Sequence, residues 1–389
     1  MTGSCRIVSC EVIYVKRAGS IAAAIAMLVL ILDTRTAISG GQEGAMLCFA
    51  TVIPTLLPFF FLSSLLTSTL SGSKFPCLRP LEGLLGIPEG SGTLFLIGAF
   101  GGYPAGARAV AEAKNAGQLS PAAASRMLGF CSNAGPAFLF GICSAAFQQR
   151  WMPWLLWGIH LLSAIVTARL FPRVDTAAAS TDQKNISLHQ ALDSAIKTMA
   201  RVCGWIILFR VVIAFCNRWF LWYFSTQAQI VFNGILELTI GCTGLAYIEN
   251  CGLRMNLCAA FLSFGGLCVA MQTRSVCAGL PFKNYILGKL FQTGLSITLA
   301  APAQFLLPEA ERCSLPPLLW ISISVSMAIL WLLVKKTIAF PLKVMYNHGI
   351  RQKQEAKPCS FESASKNPAP TAASARNSMM SRSSAPKRA

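Results

Sequence analysis

The 389 residues are 54% apolar and only 12% charged, with a mean hydropathy of +0.56. That is about half the ~25% charge of an average soluble domain. A soluble enzyme, a nucleic-acid-binding domain and a secreted disulfide scaffold are poor readings, and a membrane protein is the good one. The formal charge of +18 divides evenly, +9 before residue 335 and +9 after it, where 13 of the 48 charged residues lie.

A helix needs about 20 largely apolar residues to cross ~30 Å of hydrocarbon. Uncharged runs cover 18–32, 44–73, 90–107, 127–149, 151–168, 219–236, 255–273, 290–308 and 313–334. Two more qualify with one charge each: 202–217 around Arg210 and 228–247 around Glu237. Ten or eleven membrane segments are expected, most joined by short loops. The first has two readings. Lys16 and Arg17 before a short apolar stretch, with Ala37-Ile38-Ser39 after it, resemble a signal peptide and its cleavage site, but an uncleaved first helix is preferred. Trp151, Trp154 and Trp157 open one span, and Trp219, Trp222 and Tyr223 close another beside Arg218, as interfacial aromatics do.

Lysines and arginines near span ends set orientation. Arg6, Lys16 and Arg17 at one end of the chain, and Lys335, Lys336, Lys343, Arg351, Lys353 and Lys357 at the other, put both termini in the cytoplasm of a multi-pass bacterial cell-membrane protein. The Glu309, Glu311, Arg312 loop then falls outside. The segment 172–200 falls outside as well, against its Arg173, Lys184 and Lys197. From about Tyr346 onward the chain is rich in Ser, Ala, Pro, Lys and Arg, which reads as a disordered basic tail attracted to anionic headgroups.

Within the membrane region GAFGGYPAG at 98–106 recurs weakly as LSFGGLCVA at 262–270. Each is followed by a Leu-Gly step, Leu128-Gly129 and Leu287-Gly288, and six residues later by Gly135 and Gly294. If each copy and its successor make a hairpin, three spans lie between the copies, at 152–170, 202–224 and 227–247. An odd number inverts the second copy. Inverted repeats with interrupted segments are the sequence pointer to a transporter-like site at mid-membrane.

Residues of binding chemistry sit at those interruptions. Gly101, Gly102, Tyr103, Pro104 and Gly106 are a poor continuation of a helix, because Pro104 has no N–H and disfavours helical geometry at Tyr103. Irregular backbone is tolerated at membrane depth only against protein or a wet cavity, so a true break is expected there. For Gly265 and Gly266, which no proline follows, a break and close small-residue packing are equally good readings. Asn133, with Gly135 and Pro136, interrupts the next run and is either a ligand or an interhelical hydrogen-bonding group. Glu237 is an intramembrane carboxylate, a functional-site candidate by default, and Arg210 on the preceding span is its expected ion-pair partner. Gln272 is a further polar candidate.

Other chemistry finds little support. No catalytic nucleophile and base are recognisable, no phosphate-loop lysine follows Gly106, and no cofactor is implied. The fifteen cysteines form no CxxC, and Cys48, Cys131, Cys143, Cys203, Cys216, Cys258 and Cys268 lie inside apolar runs, where they behave as small hydrophobes. With three histidines at no ligand spacing, no metal site is expected.

The blocks FGGYPAGA at 100–107, SNAGPAF at 132–138, Gly234 to Gly241 around Glu237, and SFGG at 263–266 ending in Gln272-Thr273 together resemble the sporulation integral membrane protein family of the YlbJ type. That family belongs to the nucleoside-recognition or Gate domain group, which includes parts of concentrative nucleoside transporters and ferrous-iron permeases. The likeness covers roughly residues 45–340. It implies a role in endospore formation, around cortex assembly and heat resistance, and passage of a nucleoside-like molecule or ion.

The expected fold is all-α: a polytopic transmembrane helical bundle with inverted repeats and interrupted or re-entrant segments. It divides into an N-terminal region (1–44), a first Gate-like half (45–171), a polar loop (172–200), a second Gate-like half (201–340) and a basic tail (341–389). The expected partners are the lipid bilayer and a small polar solute, with homo-oligomer formation left open and no nucleic acid. A non-enzymatic transporter or gate is the first reading, and a non-transporting scaffold of the sporulation apparatus is the alternative.

Overall fold

The computed structural model describes residues 19–70, 75–174 and 186–307, and among them the regular structure is helical, without strands. The acidic loop after Pro308, the apolar run 313–334 and the basic tail lie outside the described residues, as do residues 175–185 of the polar segment 172–200, whose remainder is helical from Leu188 onward.

Helix α1 (Gly19–Leu32) stops at Asp33. The Asp33 carboxylate caps α2 (Thr34–Leu47) by accepting from the Thr36 N–H and hydroxyl at 3.2 and 2.8 Å, and it pairs with Arg218 at 2.9 Å. Ala37-Ile38-Ser39 lies inside α2. Chain continues through a π-helical turn (Cys48–Val52) into α3 (Ile53–Leu70), with Pro58 inside. Next come α4 (Arg79–Leu85), ended by left-handed Gly86, and α5 (Gly92–Gly101). The buried Glu82 carboxylate fixes the turn between them by accepting from the Gly90 and Gly92 amides at 2.9 and 3.0 Å.

The rest of the first part is α6 (Ala105–Asn115), α7 (Pro121–Leu128), α8 (Pro136–Gly141) and α9 (Met152–Leu170), the last beginning beside Trp151. Helix α10 (Leu188–Trp219) starts in a capping box formed by Ser187 and Gln190, and ends at the aromatic cluster of Trp219, Trp222 and Tyr223. Beyond it lie α11 (Thr226–Leu236), α12 (Leu238–Gly244), α13 (Cys251–Phe264), α14 (Gly266–Val276) and α15 (Lys283–Ala303).

Small residues set the closest packing. A Cβ on Gly40 would fall 2.9 Å from the Val211 Cα, and one on Gly44 2.8 Å from the Ile207 Cα, so α2 lies directly against the backbone of α10 through a Gly-xxx-Gly face. Helix α15 packs against both α9 and α13. Large apolar side chains also point outward, Phe49 at 71% and Leu208 at 58% exposure. Such surface suits lipid and would be costly in water.

Among the described residues, four helical stretches are long and apolar enough to cross a membrane: Thr34–Ser68, Met152–Leu170, Leu188–Trp219 and Cys251–Val276. Most of the other uncharged runs within the described residues become shorter pieces. A ten-residue helix such as α5 rises only about 15 Å, half of the hydrocarbon thickness. Counting uncharged residues measures how much chain lies in the apolar layer; it is blind to the breaks that divide it.

Candidate functional site

Four interruptions meet in the interior. The first separates α5 from α6: Gly102 has φ +76°, a left-handed value that favours glycine, and the Tyr103–Pro104 peptide is cis. A second lies at 129–135 between α7 and α8, with Pro136 as the first residue of α8. At the third, Glu237 is extended (φ −144°, ψ 124°) between α11 and α12. Gly265 makes the fourth, with φ +80° between α13 and α14; Gly266 has the same φ. Of the two readings open for Gly265 and Gly266, the structure takes the break.

The breaks touch one another. A Cβ on Gly135 would fall 2.9 Å from the Gly102 nitrogen; one on Gly265 would fall 3.4 Å from the Tyr103 ring; one on Gly266 would fall 3.2 Å from the Leu238 nitrogen. Gly106 serves a different contact: its added Cβ would lie 1.8 Å from the Cys131 carbonyl oxygen, so it lets α6 cross the second break.

A cavity of about 160 Å³ opens at this meeting point, lined by Gly101, Gly102, Tyr103, Gly135, Glu237 and Gln272 of the candidate residues, together with Thr51, Thr55 and Thr239 and many apolar side chains. Pro104, Gly106, Asn133, Pro136, Gly265 and Gly266 do not line it.

Glu237 is 2% exposed, and its two carboxylate oxygens accept from the Thr239 and Ile240 amides at 3.0 and 2.9 Å. It is the N-cap of α12, where a negative charge meets the positive end of the helix dipole. The ion pair expected between Glu237 and Arg210 is not formed. Arg210 faces α2, with its guanidinium 3.8 Å from the Glu43 carboxylate and its stem against Gly44. Depth along the spans alone suggested that pair; the direction in which Arg210 leaves α10 decides against it.

Behind Tyr103 lies a polar network that the sequence analysis does not contain. Lys289, 1% exposed in the second turn of α15, donates to Gln292 Oε1 (2.7 Å), to Tyr103 Oη (3.2 Å) and to the Ser132 carbonyl, and its ammonium sits 5.0 Å from the Tyr103 ring centroid. None of the three acceptors is a carboxylate. Tyr103 in turn donates to the Leu262 carbonyl at 2.8 Å. Gln292 Nε2 donates to Asn133 Oδ1 (3.1 Å) and to the His160 carbonyl (3.2 Å), so Asn133 bonds across to α15.

His160 extends the chain of hydrogen bonds. Its Nε2 accepts from the Ala134 amide at 3.0 Å, so the ring proton sits on Nδ1 and points to Ser263 Oγ, 3.1 Å away. Ser263 and Ser296 follow at 2.5 Å, Ser296 donates to Ser163 at 2.8 Å, and Ser163 closes on the His160 carbonyl at 2.7 Å. Each proton in this run has one acceptor, which fixes the direction of the whole relay.

One signal in the sequence marks this centre. The uncharged run at 290–308 begins one residue after Lys289, and that lysine directly follows the second Leu-Gly step. Read as a boundary, Lys289 hides; read as a charge inside a helix that starts at Lys283, it is an intramembrane cation.

The chain is 25% identical over 303 residues to the sporulation integral membrane protein YlbJ of Bacillus subtilis (strain 168), a match covering 64% of this chain and 73% of that protein. No family model matches the chain. No solved structure matches it. The likeness agrees with the all-helical, lipid-suited architecture: the chain is similar to a sporulation integral membrane protein.

Proposed function

We propose that this protein is a multi-pass component of a bacterial cell membrane, with both termini cytoplasmic, that gates or transports a small polar solute such as a nucleoside-like molecule or an ion, and that, like its relative, it serves sporulation. One observation carries the reading: three helix interruptions from distant parts of the chain line one cavity, the fourth packs against two of them, and Glu237 occupies the N-terminus of a half helix at that cavity. The amides of Thr239 and Ile240 held by Glu237 are the donors a solute's polar group would compete for. A polar solute group that takes these amides displaces the carboxylate, which makes Glu237 the latch of the cavity. Lys289 and Tyr103 stand behind this latch as a second polar layer. The solute and lipid are the partners this reading requires; it needs no cofactor, nucleic acid or enzymatic step.

The alternative, a membrane scaffold that transports nothing, draws on a specific fact: both Glu237 oxygens are already engaged, and Lys289 finds an acceptor for each of its three protons. Glu237→Gln separates the two readings. Purified protein in proteoliposomes is assayed for flux of labelled nucleosides and cations, and the variant is tested for heat-resistant spores in a sporulating host whose own copy is deleted. A transporter loses flux and spore resistance with the variant inserted at normal abundance. Normal resistance together with absent flux in wild type rejects transport.

A further inference from the structure

Three cysteines far apart in the chain converge at a place that neither the cavity nor the Lys289 network uses. Cys143 comes from the short 3-10 turn Cys143–Ala146, Cys242 from α12 and Cys258 from α13. Their sulfur atoms all lie within 4.8 Å of one another, and each residue is fully buried. The surrounding core includes Leu139, Leu245, Met152 and Met255, all 0% exposed. Among the described residues no disulfide uses these thiols, and all three are free.

We infer that Cys143, Cys242 and Cys258 form a trigonal, all-sulfur site for a soft monovalent metal ion of the Cu(I) class. Metal–sulfur bonds of about 2.3 Å place the three sulfurs of a planar site about 4 Å apart. The observed triangle therefore closes on an ion with movements of well under an ångström per sulfur. Ligand number decides the ion. Zn(II) takes four ligands in a tetrahedron, yet no fourth Cys, His, Asp or Glu atom joins this group among the described residues. The three residues are also too buried to leave room for the water that completes an open zinc site. Soft thiolates select Cu(I), and three-coordinate sulfur suits it. Each thiol that becomes a ligand as thiolate releases its proton, so loading is coupled to proton release and rises with pH.

Placement gives the ion a consequence. Cys242 lies on α12, the half helix whose N-terminus Glu237 caps at the cavity. A metal joining Cys242 to Cys258 on α13 and to Cys143 after α8 ties that half helix to two neighbours. The site is separate from the solute reading and stands or falls without it.

The full chain, purified in detergent under anaerobic reducing conditions, is titrated with Cu(I) against a chromophoric Cu(I) chelator, and the loaded protein is examined by copper-edge X-ray absorption. One retained equivalent with three sulfur neighbours is expected. Cys143→Ser, Cys242→Ser and Cys258→Ser each lower the affinity by at least ~100-fold, beyond the 10–100-fold typical of losing an outer-shell partner. Cys216→Ser and Cys277→Ser leave it unchanged. Absorption and proton release on wild type keep the proposal testable if a variant fails to fold. A wild type that holds Cu(I) no better than the triple serine variant overturns it. So does a preference for Zn(II) over Cu(I), or a disulfide between two of the three thiols.

Discussion

The two arms that follow the FGG segments start from the same sequence step and end differently. After Leu128-Gly129 the chain leaves the helix and runs irregularly to Gly135; after Leu287-Gly288 it continues as helix to Ala303. Yet the matching positions meet. A Cβ on Gly288 would fall 1.9 Å from the Gly129 carbonyl oxygen, and Asn133 and Gln292, each four residues past its glycine, hydrogen-bond to each other at 3.1 Å. The continuous arm supplies what the broken arm lacks: Lys289 donates to the Ser132 carbonyl that the break frees, and Gln292 takes up the Asn133 amide. An irregular backbone survives inside a membrane when a regular neighbour brings side-chain donors to it. The asymmetry of the repeat is how its two halves fit.

The strongest way to break this comparison is at the backbone crossing. Gly288→Ala puts a methyl carbon where the Gly129 carbonyl already sits, and neither partner is a flexible side chain that can yield. A cost above about 3 kcal/mol is expected, the upper end for overpacking. Thermal unfolding in detergent, or loss of the monodisperse peak on size exclusion, reports it. A variant that melts like wild type would mean that the arms do not touch.

Next in size is the pairing of the repeat-equivalent amides. Gln292→Leu strips the partner from Asn133 Oδ1, one acceptor from Lys289 and a donor from the His160 carbonyl. Buried groups left unpaired cost about 1–3 kcal/mol each, so a loss of about 2–3 kcal/mol is expected. Asn133→Leu and the double variant complete a cycle, and a coupling of about 0.5–3 kcal/mol marks a direct contact. Strict additivity would show that the two amides do not interact.

Gly135→Ala is smaller. Its φ is negative, so the backbone accepts alanine, but the new carbon would lie 2.9 Å from both the Gly102 nitrogen and the Phe100 carbonyl oxygen. Forcing the first two breaks apart costs about 1–2 kcal/mol. The same shift opens the cavity wall, so in the transport assay Gly135→Ala changes solute affinity more than protein abundance.

How far the sequence announces all this follows from what each signal measures. Breaks at Gly102 and Pro104 are legible because proline and glycine act locally on the backbone. The division at Glu237 is not announced: in the sequence 227–247 reads as one span with Arg210 as the partner of Glu237, whereas the carboxylate takes its donors from the N-terminus of a half helix. Direction around a helix is not legible over long spans, and this is why Arg210 turns to Glu43 and leaves Glu237 to the amides. The Lys289 centre draws on Tyr103, Ser132, His160 and Gln292 from four separate elements, so no local pattern in the chain contains it. The Gly40 and Gly44 contact with α10 is the reverse case: a Gly-xxx-Gly spacing is plainly present, but its partner becomes known only in three dimensions.

Gly294 sharpens the comparison from the quiet side. It is the repeat counterpart of Gly135, six residues past its Leu-Gly step, yet it lies inside the continuous α15 with nothing within 4 Å of an added Cβ. No positive φ requires glycine there, and no backbone presses on it. Gly294→Ala therefore meets only the intrinsic preference of a helix interior for alanine, a gain of about 0.5–1 kcal/mol. The melting temperature should rise slightly in the same assay in which Gly135→Ala lowers it. Opposite signs at two equivalent glycines follow only if one arm is broken and the other is not. A Gly294→Ala variant destabilised as much as Gly135→Ala would mean that α15 also opens at this point, and that both halves share the same interrupted form.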